Sequence, residues 1–205
     1  MKKLLLLAVC GIFIFGFSKA FADDPRYDSK ASDESMVKIL KSLPDAKRGE
    51  FAQALIDINL YATNPNESLN NKTADQIIKE AKEQKKKAYE LAANPSAGEP
   101  RIDMTNQDTQ KASDKAIKAS LSKEKYEKFS TAAQTIWAVV ENVYVSRAAN
   151  AKTIEEGNAV RAAMMADFKA LVDKKTADQI ILLSIEFYKD GLAGKTYKQI
   201  VDSHK

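Results

Sequence analysis

Cysteine and histidine are nearly absent from this chain: its 205 residues hold one of each, Cys10 and His204. A single cysteine makes no intrachain disulfide and no Cys-ligated zinc site, and a single histidine excludes a His-ligated metal cluster. Ser/His or Cys/His nucleophilic pairs would have to use His204, the penultimate residue, where a chain end is expected to fray. Seven glycines and five prolines are also few. There is no glycine-rich phosphate loop, no H-E-x-x-H pair and no Asp-rich calcium loop. These absences leave no candidate catalytic, cofactor-binding or metal-binding residue. The expectation is a protein that is not an enzyme and carries no cofactor.

Long apolar runs are missing too, with one exception at the start. Met1-Lys2-Lys3 is basic, residues 4–17 are almost wholly apolar, and Ala20-Phe21-Ala22 fits an A-x-A cleavage site. The run is shorter than the roughly 20 residues that span a bilayer. It predicts a signal peptide over 1–22, cleaved after Ala22, and a protein of the bacterial periplasm with no stable membrane insertion. Cleavage would remove Cys10, leaving no thiol to oxidise in that compartment. It would also lower the 32 basic residues by three to 29, against 28 acidic ones. That near-neutral balance gives no basic footprint for nucleic acid.

What the chain does have is repetition. Asp24-Pro25-Arg26-Tyr27-Asp28 returns as Glu99-Pro100-Arg101-Ile102-Asp103. Ser42-Leu43, Phe51 and Ile58 return as Ser120-Leu121, Phe129 and Ile136. Lys72-Thr73-Ala74-Asp75-Gln76-Ile77-Ile78 returns letter for letter at 175–181. Matches in the same order predict an internal duplication. Ala, Lys, Glu, Gln, Leu and Ile dominate and alternating strands are absent, so the fold class is all-α. The expected organisation is two tandem, unequal helical modules, 23–93 and 99–205, joined by a linker at Asn94-Pro95-Ser96-Ala97-Gly98. The second module is longer because 45 residues separate Phe129 from Lys175, against 20 between Phe51 and Lys72.

Thr73-x-x-Gln76, Thr176-x-x-Gln179, Thr196-x-x-Gln199 and Thr153-x-x-Glu156 read as capping boxes that open helices. Capping accounts for the repeated Lys-Thr-Ala-Asp-Gln element without a binding role. Helices are predicted over 33–43, 46–62, 74–92, 107–119, 123–150, 154–172, 177–190 and 197–203. The helix at 123–150 carries a wide apolar stripe of Phe129, Ala133, Ile136, Trp137, Val140, Val143 and Tyr144, the pattern of a hub covered on more than one side. Arg147 falls on the same face near its end. Trp, Tyr and Arg are enriched at interface anchors, so Trp137, Tyr144 and Arg147 are the candidate partner-binding residues. Two of them also have a plainer reading, Trp137 as core and Arg147 as a side chain snorkelling over it or pairing with a nearby acid.

The stretch from Glu99-Pro100-Arg101-Ile102-Asp103, through Ala119-Ser120-Leu121 and Phe129, to Lys175-Thr176-Ala177-Asp178-Gln179-Ile180-Ile181 resembles a family of small bacterial secreted proteins and lipoproteins. Its members run from an E-P-x-I-D start to a G-K-T-A-D-E-I-I element. Asn71 and Lys174 stand here where that family has glycine. The resemblance covers 99 to about 182 and again 24 to about 84, and it implies no activity. Leu121-Ser122-Lys123-Glu124-Lys125 is similar to the L-T-x-x-Q element of periplasmic stress chaperones of the Spy type, without its Gln. Two functions remain in view. One is a protein-binding protein such as a cognate inhibitor or immunity protein against an envelope-directed toxin; the other is a periplasmic chaperone or envelope-stress protein. Composition carries no signal for the identity of the toxin or client, or for oligomeric state.

Overall fold

The computed structural model describes residues 24–205; the expected signal peptide, Cys10 and the Ala22 cleavage site lie outside the described residues. Among the described residues the protein is all-helical, with no strand and two isolated bridges. The helices are α1 (Ser32–Ser42), α2 (Asp45–Tyr61), α3 (Pro65–Leu69), α4 (Ala74–Ala93), α5 (Gln107–Ser120), α6 (Lys123–Ala149), α7 (Ile154–Val172), α8 (Ala177–Leu192) and α9 (Tyr197–His204). The short α3 is not foreseen by apolar periodicity. It arises from local chemistry: the Asn64 side chain accepts the Glu67 N–H, and Pro65 supplies the fixed φ of a first helical position.

The chain divides into two compact units, the first ending at Lys85 and the second running from Lys86 to Lys205. The division falls inside α4. The last turns of α4 are held by the second unit: Ala92 is buried, and its carbonyl accepts the Gln179 side-chain N–H at 3.1 Å. Tyr89 likewise hydrogen-bonds Glu186.

The first unit is built on α2. Phe51, Leu55 and Ile58 recur at helical spacing and are buried with Ile39 of α1 and Ile77 of α4. Residues 26–27 lie antiparallel to 71–73: the Tyr27 N–H donates to the Lys72 carbonyl at 2.9 Å and the Asn71 N–H to the Tyr27 carbonyl at 2.8 Å. The Arg26 guanidinium donates to the Asn71 carbonyl at 2.8 Å. This turn requires a left-handed backbone, with φ of 58° at Asn71, a conformation that favours glycine and that asparagine tolerates better than most residues. Lys47 pairs with Asp75 across α2 and α4 at 2.9 Å.

In the second unit the Ile102 N–H donates to the Lys175 carbonyl at 2.9 Å and the Lys174 N–H to the Ile102 carbonyl at 2.8 Å. Arg101 donates to the Lys174 carbonyl at 3.0 Å, and Lys174 has a φ of 60°. Lys125 pairs with Asp178 at 2.9 Å. The long α6 is the hub, packed against α7, α8 and α9 through buried Phe129, Ile136, Val140 and Tyr144. The buried stripe is narrower than expected. Ala133, Trp137 and Val143 are only half-buried, and the flank that carries Ala133 and Trp137 faces an open groove.

Threonine caps open the helices as predicted at Thr73, Thr176 and Thr196, each with reciprocal Thr and Gln hydrogen bonds. Thr153 departs from the box: its hydroxyl accepts the Glu156 N–H, but the Glu156 carboxylate turns to the Lys152 N–H at 2.6 Å. The chain end is also not frayed. Ile200 and Val201 of α9 are buried, at roughly 1.5–3 kcal/mol of transfer free energy each. His204 is half-buried, its ring 5.3 Å from that of Phe187 and its Nε2 3.0 Å from Asp190 Oδ2.

Candidate functional site: an aromatic groove in the second unit

The open flank of α6 forms one wall of a groove of about 330 Å³ whose other walls are α5, α7 and residues 102–104. Its existence follows from α5. That helix is capped soundly by Asn106, whose side chain accepts the N–H groups of Asp108 and Thr109. Yet it buries only Ile117, and the position one turn before, Asp114, is an exposed acid. A helix with one buried apolar residue cannot cover the aromatic side chains presented by its neighbours. Tyr126, Phe129 and Trp137 of α6 and Phe168 of α7 therefore line a cleft rather than a closed core.

The aromatic groups are ordered against one another. Trp137 meets Phe168 edge-to-face, with centroids 5.1 Å apart and planes at 84°, a favourable quadrupolar arrangement. Tyr126 lies 6.0 Å from Phe129 and presents its hydroxyl to Asp114 at 3.4 Å. Burial first, and then the negative charge of Asp114, raises the pKa of the Tyr126 hydroxyl. Its O–H thus stays a donor. The Lys118 ammonium sits 5.4 Å from the centre of the Tyr126 ring, a cation–π contact that fixes the ring's outer edge. Gln110, Ser113, Ser130 and Gln134 supply polar rim groups.

The three residues proposed from sequence separate here. Trp137 lines the groove. Tyr144 does not: it is buried, and its hydroxyl donates to Asp167 Oδ2 at 2.6 Å. Lys205 holds the other oxygen of Asp167 at 2.8 Å, so this cluster ties α9 to α6 and α7. Burial, followed by the Asp167 hydrogen bond and charge, raises the pKa of Tyr144. Arg147 is exposed, its guanidinium 5.3 Å from the centre of the Tyr144 ring. Sequence reasoning missed Tyr126, Phe168, Met104 and Asp114 as lining residues. Helical periodicity finds the apolar residues of each helix but not which stripes are left uncovered.

Elsewhere on α6, Lys128 is half-buried; desolvation lowers its pKa to about 8, opposed by the charge of Asp178. Among the described residues no group of three or more His, Cys, Asp or Glu could hold a metal ion. No described helix is long and apolar enough to cross a membrane. No family model, curated protein or solved structure matches the chain.

Proposed function

We propose that this chain is a non-enzymatic periplasmic protein that binds another protein through the aromatic groove of its second unit, and that it acts as a cognate inhibitor of the immunity type. The groove carries the reading. It is apolar inside, rimmed by polar groups and small, with Trp and Tyr among its lining residues, the composition of interface anchors. A discrete cleft of this size suits one stoichiometric partner. A chaperone for many clients would present a broad apolar face.

The periplasmic assignment rests on the predicted signal peptide. Intact mass of the secreted form should begin at Asp23; a diacylglyceryl adduct on Cys10 would overturn it. The reading also takes the two units as products of duplication and as relatives of the E-P-x-I-D family. Its support is the pairing of Arg26 with Thr73 and of Arg101 with Thr176, each beside a left-handed residue, Asn71 or Lys174, where that family has glycine.

The test is a pull-down from periplasmic extract with the wild type and an Ala133→Leu variant that fills the groove. One partner retained by the wild type and lost by the variant is the expected result. Equal retention by both removes the groove from the site. Suppressed aggregation of unrelated clients, without a stoichiometric partner, replaces the inhibitor with the chaperone.

A further inference from the structure

Each unit contains a tight turn of the same kind, closed by the Lys72 N–H on the Leu69 carbonyl in one and by the Lys175 N–H on the Val172 carbonyl in the other, both at 3.2 Å. Asn70 (φ −59°, ψ 136°) and Asp173 (φ −61°, ψ 138°) take the first central position of a type II turn. Asn71 and Lys174 take the second, with φ of 58° and 60°. That position calls for glycine or asparagine. Asn71 meets the rule. Lys174 breaks it, and its Cβ carries a steric penalty there. A residue held in such a conformation needs surroundings that fix it.

Two carboxylates supply them. Lys174 Nζ lies 2.7 Å from Asp103 Oδ2 and 4.0 Å from Asp173 Oδ1. Both acids serve the 102–104 wall of the groove. Asp103 stands between Ile102 and Met104, which line it. The Asp103 N–H donates to Ser113 Oγ of α5 at 3.1 Å, and its carboxylate accepts the Thr105 N–H at 2.9 Å. Asp173 Oδ1 accepts the Met104 N–H at 2.8 Å. The Lys174 ammonium first, and then Thr105, hold the Asp103 carboxyl well below the usual carboxylate range, so it stays an anion. Resting on the groove as the binding site, we infer that Lys174 is a positioning residue. Its ion pair with Asp103 clasps the 102–104 wall to the end of α7, and the left-handed lysine is kept for that contact. A glycine would make the same turn without strain and without the clasp. The two side chains are 58% and 33% exposed, and a pair that wet adds little to global stability. Its effect lies in where the wall sits. Trp137, the sole tryptophan, is half-buried in the same groove and reports on that.

The experiment is acrylamide quenching of Trp137 fluorescence in the mature chain and in its Lys174→Gly, Lys174→Arg and Asp103→Asn variants, with a melting curve for each. Lys174→Gly removes the strain and the cation together. Its melting temperature should hold or rise, while the quenching constant rises about twofold as a half-buried ring opens to solvent. Asp103→Asn should raise quenching by a similar factor. Lys174→Arg keeps the cation and should quench like the wild type. A turn with no role beyond reversing the chain predicts that Lys174→Gly stabilises the protein and leaves Trp137 as it was, and that result overturns the clasp. A rise with Lys174→Gly but not with Asp103→Asn also overturns it, because the backbone rather than the ion pair would then be the cause. So does Lys174→Arg behaving like Lys174→Gly. Quenching judges the clasp without any partner, and the pull-down with Ala133→Leu judges the groove as a binding site, so either reading can fail alone.

Discussion

Filling the groove should stabilise the protein while disabling it, and Ala133→Leu is the change to make. Ala133 is half-buried on the groove wall. Three carbons are added, worth about 2.4 kcal/mol at about 0.8 kcal/mol per buried CH2 if all are covered. Ordering the leucine side chain costs about 0.5–1 kcal/mol. The mouth of the groove leaves part of it wet, so the net gain is about 1–1.5 kcal/mol. Alanine and leucine are both good helix formers, so backbone propensity changes little. At about 2–4 °C per kcal/mol for a chain of this size, the melting temperature should rise by about 2–6 °C. Urea unfolding should move its midpoint upward with an unchanged slope. A loss of more than about 1 kcal/mol would mean overpacking. The space between α5, α6 and α7 would then be too small for a side chain, and the groove argument would fail.

Three further outcomes are expected. Thr73→Ala should cost about 0.5–1 kcal/mol and Thr176→Ala closer to 2, since Thr176 is fully buried and Thr73 is not; denaturant unfolding reads both, and neither should alter partner binding. Arg147→Ala should change the melting temperature little and partner affinity not at all, because Arg147 lies outside the groove lining; a tenfold loss in a pull-down titration would extend the interface to the end of α6. Lys128→Met should stabilise most at neutral pH. Its folded pKa of about 8 lies below the ordinary 10.5, so between these values the unfolded chain binds more protons and stability rises with pH. Urea midpoints of both proteins at neutral pH and near pH 10 should converge at the higher value. The raised tyrosine pKa values of Tyr27, Tyr126 and Tyr144 act in the opposite sense but cancel in the comparison.

Much of the helical framework was legible in the chain because its signals are local. Thr176 caps α8 through Gln179 three residues on, and Phe51, Leu55 and Ile58 share a face, whatever surrounds them. The left-handed backbone at Asn71 and Lys174 was not legible in this way, since apolar periodicity carries no signal for it. By itself the sequence determined helix class, most boundaries and caps, and which residues share a helix face, all of which depend on neighbours within about four residues.

Tertiary structure decided the rest. It placed the division of the chain inside α4, because Ala92 and Tyr89 find partners on α8. It docked His204 against Asp190 and Phe187, where a chain end alone would fray. It also separated Trp137 from Tyr144 and Arg147, residues that share a helix face but meet different neighbours. Whether a stripe becomes core or groove depends on the side chain brought opposite it. Across from Trp137 and Phe129 the fold brings α5, whose Asp114 cannot cover them.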